Sequence, residues 1–132
     1  MRYLLDADTC IAAMRGNAFV LQHLAAVAPF DCAISAITRY ELWVGIEKSS
    51  NPLKERNKVD LLIAAFRRAR FGVAAAERAA KVRAFLESQG TPIGPYDTLL
   101  AGHALALSLC IVTANVQEFG RVPGLVIENW QV

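Results

Sequence analysis

Short, wholly apolar runs alternate along this chain with longer stretches whose apolar positions recur every three or four residues. The short runs have no polar side, so they predict strands buried on both faces. Residues 3–5 form the first, stopping at Asp6. Residues 30–35 (FDCAIS) form a second, 71–73 a short third, 109–113 (LCIVT) a fourth, and 125–127 a last one before Trp130. Helical patterns fill the intervals. Asp8 and Thr9 open one over 10–14, closed by Gly16, and Asn17 caps another that runs to about Val27. A third covers about 36–48, where Ile37, Glu41 and Val44 share a face, so an acid sits within an apolar stripe. Val59, Leu62, Ile63 and Phe66 keep the i, i+3, i+4, i+7 spacing of an amphipathic helix, and Arg67, Arg68 and Arg70 read as its solvated end. Residues 74–89 form a strong helix with Val82, Phe85 and Leu86 on its inner side and Gly90 as its stop.

The stretch 92–104, PIGPYDTLLAGHA, breaks this rhythm. Gly90, Pro92, Gly94 and Pro95 forbid regular structure, and Pro95 suits the first turn of a helix, where a missing N–H costs nothing. Asp97 then falls in that first turn, ahead of a helix almost free of charge. One acid at a helix start favours the dipole and needs no further role. Strands alternating with helices argue for an α/β domain with a parallel sheet covered on both faces. Ligands of such sheets bind beyond the carboxyl ends of the strands. Asp6, Glu41, Asp97 and Asn115 all fall where that edge is expected, which turns an isolated acid into a candidate site.

Composition narrows the class. The 132 residues make one domain, 1–132, and at 55% hydrophobic against 20% charged it is rich in core. No apolar run reaches the roughly 18 residues of a membrane span, and no signal pattern opens the chain, so no membrane partner and a cytoplasmic location are expected. Cys10, Cys32 and Cys110 lack the paired spacing of a zinc site and read as small buried hydrophobes. Setting Asp6, Asp8, Glu41 and Asp97 aside leaves 14 bases against 8 acids, a balance of +6 around an acidic hollow. That arrangement suits a polyanionic substrate held by metal ions.

Clustered carboxylates raise one another's pKa unless a cation neutralises them, and all-oxygen ligand sets select Mg²⁺ or Mn²⁺. Such ions orient water for attack on phosphorus. With no Cys–His pairing, no G-x-S-x-G and no glycine-rich phosphate loop, metal-assisted phosphodiester hydrolysis is the chemistry left.

The segments YLLDADTCI, SAITRYELWVGIEKS, PIGPYDTLLAGHA and IVTANVQEFGRVPGL with ENW resemble, in order and spacing, the PIN-domain ribonucleases, and among them the VapC-type toxins of bacterial toxin–antitoxin pairs. The resemblance implies a three-layer α/β/α fold with a central parallel sheet of about four to five strands. It also implies a homodimer, Mg²⁺- or Mn²⁺-dependent endonuclease activity on RNA, and inhibition by a small VapB-like antitoxin. By motif, Asp6, Glu41 and Asp97 would be the catalytic, metal-binding acids, with Asp8, Thr113 and Asn115 as accessory candidates. The chain departs from the family where Asp8 replaces a frequent Asn and where Asn115 stands near the position of a fourth acid.

Each residue also has a plainer reading. Glu41 fits a capping box with Thr38. Asp8 either stands beside Asp6 on an extended strand or caps the helix that starts at Thr9. His103 reads as a buried, hydrogen-bonded histidine, Glu118 as a surface acid, and Trp43 and Trp130 as packing residues. Two other functions compete. A haloacid-dehalogenase-like phosphatase would use Asp6 and Asp8, but Cys10, Ala114 and Asn115 break its pattern. A non-catalytic PIN-like binding module would leave Asp6, Glu41 and Asp97 without a purpose.

Overall fold

The computed structural model describes all 132 residues, Met1–Val132. Five strands, β1 (Tyr3–Leu5), β2 (Cys32–Ser35), β3 (Arg67–Ala69), β4 (Cys110–Val112) and β5 (Ile127–Glu128), form one sheet in the order β3-β2-β1-β4-β5. Every neighbouring pair is parallel, with Tyr3 opposite both Cys32 and Cys110. Seven helices connect them: α1 (Ala7–Met14), α2 (Ala18–Ala26), α3 (Ala36–Glu47), α4 (Pro52–Ala64), α5 (Val73–Ser88), α6 (Pro95–Leu107) and α7 (Val116–Phe119). This is the α/β architecture the alternating pattern predicts.

Strand residues alternate between two cores because side chains along a strand point to opposite faces. Tyr3, Leu5, Cys32, Ile34 and Val112 meet Cys10, Val20, Leu42, Ile46, Val59 and Ile63 from α1 to α4. Leu4, Ala33 and Ile111 meet Val82, Leu86, Leu100, Ala101 and Ala104 from α5 and α6. Those two helices pack unusually closely. A Cβ placed on Gly102 would lie 2.4 Å from the Ala79 backbone, so the crossing depends on a residue with no side chain.

Several local expectations are corrected. The third strand is Arg67–Ala69, not 71–73, and Arg67 and Arg68 belong to it rather than to a helix end. Arginines are at home on an edge strand, where only Ala69 is buried, so a search for apolar runs passes over it. Gly72 and Val73 instead begin α5. Residues 29–31 form a single 3₁₀ turn before β2, and the last strand starts two residues late because Gly124, at φ 78°, turns the chain first. Phe85, expected inside, is exposed, as is Trp43, whose ring lies under the Arg39 guanidinium at 4.9 Å. Trp130 is buried as expected, stacked on His23 and edge-on to Tyr3.

Candidate functional site

The strand order reverses between β1 and β4: the chain steps from β1 through β2 to β3 on one side, then returns to β4 and β5 on the other. Past the carboxyl ends of two strands that diverge in this way a crevice opens. Asp6 leaves β1 on one side of it, and Thr113 and Asn115 leave β4 on the other. Glu41 enters from α3, which follows β2 directly, and Asp97 from the first turn of α6.

Asp6 is fixed by two jobs at once. It is the N-cap of α1, its carboxylate accepting the Thr9 N–H at 2.8 Å, and it also takes a hydrogen bond from Thr113. Burial nevertheless raises its pKa, those bonds pulling the other way and nearby Asp8 adding to the rise. Its backbone is held from both sides. The Asp6 N–H donates to the Val112 carbonyl, while Thr38 Oγ1 donates to the carbonyl of Leu5 at 3.3 Å.

This geometry overturns two expectations. Asp6, not Asp8, caps α1, and β1 stops at Leu5, so Asp8 lies in the helix and not beside Asp6 on a strand. Nor do Thr38 and Glu41 form a capping box. Ser35 caps α3, its hydroxyl accepting the Ile37 N–H at 3.0 Å, which leaves Thr38 for β1 and Glu41 for the crevice.

The acids act on one another. Glu41 is pushed up to about 7 by burial and then by the charges of Asp97, Asp6 and Asp8. Asp97 is pushed up to about 6 by burial, by a hydrogen bond and charge from Glu118, and by Asp6 and Asp8. The structure therefore brings Asp6, Asp8, Glu41 and Asp97 within electrostatic range of one another. It adds Glu118, which the sequence reading leaves on the surface. Asn115 Nδ2 donates to Asp97 Oδ2 at 3.4 Å and, in a shorter contact, to Glu118 Oε2. Thr113 Oγ1 accepts the Asn115 N–H at 2.9 Å. The spacing N-V-Q-E, an amide at the cap of α7 and an acid three residues on, was the signal available for Glu118.

None of the chain's three ion pairs, Arg56–Asp60, Lys81–Glu77 and Arg83–Glu87, reaches these acids. Nor do any three of its acids, histidines and cysteines close into a ready cage for a metal ion. An open set of carboxylates with an amide and a threonine beside it suits Mg²⁺ or Mn²⁺, which bind through one or two carboxylates and keep several waters. His103 stays out of the set. It is buried, with Nδ1 2.9 Å from Ser35 Oγ, and burial lowers its pKa. A cleft of about 580 Å³ between α5 and the start of α6 contains none of these acids.

The PIN domain pattern matches residues 3–125. Over 130 residues the chain is 35% identical to the tRNA(fMet)-specific endonuclease VapC of Salmonella typhimurium, covering 98% of each. The chain belongs to the VapC family of PIN-domain proteins. Ribonuclease VapC2 of Rickettsia felis, another VapC, is 33% identical over 132 residues, with 98% of both chains covered. Among solved structures, the DNA-bound VapBC of Salmonella typhimurium matches with a TM-score of 0.93 at 35% identity, over 98% of each chain. VapBC-1 from nontypeable Haemophilus influenzae matches at 0.90 with 28% identity over the full length of both. This VapC-family fold removes the haloacid-dehalogenase alternative. No helix of the chain is long and apolar enough to cross a membrane.

Proposed function

We propose that this VapC-family chain is an endoribonuclease toxin that hydrolyses RNA phosphodiester bonds with Mg²⁺ or Mn²⁺, and that a small VapB-like antitoxin silences it. The observation that carries the reading is the crowding of Asp6, Glu41 and Asp97, supplied by three different elements, with no cation of the chain paired to them. Asp6 and Asp97 would hold the ion, with Glu41 at its side. Thr113 and Asn115 orient Asp6 and Asp97 through the bonds described above, and Asp8 and Glu118 add negative charge from the rim. When bound, a divalent ion lowers the pKa of water and screens phosphate charge. In the metal-free protein burial and the neighbouring acids raise Glu41 to about 7; beside a bound cation it would be ionised and able to accept a proton from an attacking water. Arg15 and Lys58 line a cleft that also contains Glu41, where they suit phosphates of the RNA backbone.

Two relatives carry tRNA(fMet) specificity in their names, which makes that tRNA the first substrate to test. Labelled tRNA(fMet) and total RNA incubated with the protein should be cut in Mg²⁺ or Mn²⁺ and spared in EDTA. Asp97→Asn should abolish cutting. Wild-type cleavage rates in EDTA, or in Asp97→Asn with Mg²⁺, would refute the assignment. A non-catalytic module would cut in none of these conditions.

A further inference from the structure

The rim of the acidic crevice holds two tyrosines that none of the roles above uses. Tyr40 on α3 immediately precedes Glu41, and Tyr96 on α6 immediately precedes Asp97. Their hydroxyls lie 3.1 Å apart, and their rings are tilted at 56° with centroids 5.4 Å apart. Tyr40 is 47% exposed and Tyr96 43%, so each keeps open ring surface despite the contact between them. The Tyr96 hydroxyl is also close enough to Glu41 for that carboxylate's charge to act on it. Along α3 the exposed face continues one turn further to Trp43, with Arg39 over its ring. Buried aromatics need no ligand to explain them. Three exposed ones in a row, beginning at the carboxylates and accompanied by an arginine, do.

Aromatic rings beside a backbone-tracking charge are how proteins hold unpaired nucleotides, since every base has a face to stack. Building on the ribonuclease reading, we propose that Tyr40 and Tyr96 form the platform on which an unstacked base of the RNA next to the scissile phosphate rests. The platform makes the chain select single-stranded or looped RNA over duplex. The joined hydroxyls fix the angle of the rings, so the surface is ready before substrate arrives.

The test uses the full chain and two RNAs, a tRNA(fMet) transcript and a mixed-sequence single strand, each also offered annealed to its complement. Tyr40→Ala and Tyr96→Ala should each raise KM about tenfold, the scale of one stacked base, with kcat little changed. Tyr40→Phe and Tyr96→Phe should recover most of that loss. Phe30→Ala, an exposed aromatic at the opposite edge of the sheet, should match wild type. Annealing should suppress wild-type cleavage. Alanine variants with wild-type KM would overturn the platform. So would phenylalanine variants as impaired as alanine ones, or losses in kcat alone, either of which would make the pair a strut between α3 and α6. An alanine variant of altered oligomeric mass would make it a contact with a second copy. If wild type cuts neither RNA in Mg²⁺ or Mn²⁺, the ribonuclease reading itself fails.

Discussion

At the scale of single residues, Asp6 shows how a site acid can be hidden in a structural role. Because it caps α1, Asp6→Ala removes the cap as well as the charge, and should cost about 1 kcal/mol of stability, read as a lower thermal midpoint. Asp6→Asn keeps an acceptor for the Thr9 N–H and removes a buried charge, so its midpoint in EDTA should equal or exceed wild type while RNA cleavage is lost. The raised acids also set a pH dependence. Glu41 goes from an ordinary 4.5 to about 7 and Asp97 from 3.8 to about 6, so in the metal-free protein both resist ionisation more than in the unfolded chain. Their contribution to stability is full below the unfolded values and is lost as pH rises through the folded ones. Thermal midpoints in EDTA should therefore fall between about pH 4 and pH 8, Asp97→Asn should flatten the fall, and Mn²⁺ should reverse it at the upper end. A flat wild-type profile would show that burial and the neighbouring charges do not raise these acids. Legibility varied with how local the cause was. Asp6, Glu41 and Asp97 stood out by motif, whereas Glu118 joins them from α7 through Asn115 and through its own hydrogen bond with Asp97, and Asp8 was misplaced because the end of a three-residue strand cannot be read from its neighbours.

At the scale of elements, the hydrophobic pattern located nearly every helix and strand, since burial on two faces leaves a plain mark. It failed at β3, where an edge position relaxes the need for apolar residues, and at Phe85, which keeps a helical spacing but lies outside the buried Val82 and Leu86 stripe. Nothing in the pattern announced how tightly α5 and α6 cross. Gly102→Ala tests that crossing directly. The new methyl meets backbone atoms of Ala79 that cannot rotate away, so overpacking should cost about 1–3 kcal/mol in denaturant unfolding. Because α6 carries Asp97, cleavage should fall more than Gly45→Ala makes it fall, at a position where an added Cβ meets nothing within 4 Å. Equal stabilities for the two variants would contradict the close packing.

At the scale of the whole molecule, exposed apolar side chains remain that neither core uses, among them Leu53, Leu61 and Val73. A homodimer is the expected way to cover some of them, and light scattering at micromolar concentration should give twice the chain mass; a clean monomer would refute it. The parallel sheet was readable from sequence, but its strand order was not, because order depends on which helices cross which face. That order has a consequence for the life of the molecule. The bond from Thr9 to Val112 spans 103 positions, and the acids of the crevice are drawn from both ends of that span. A chain still emerging from the ribosome presents Asp6 and Glu41 well before β4 and α7 are made. Under the proposed activity the nascent protein stays inert until those later elements close the crevice, and only then becomes dangerous to the RNA around it.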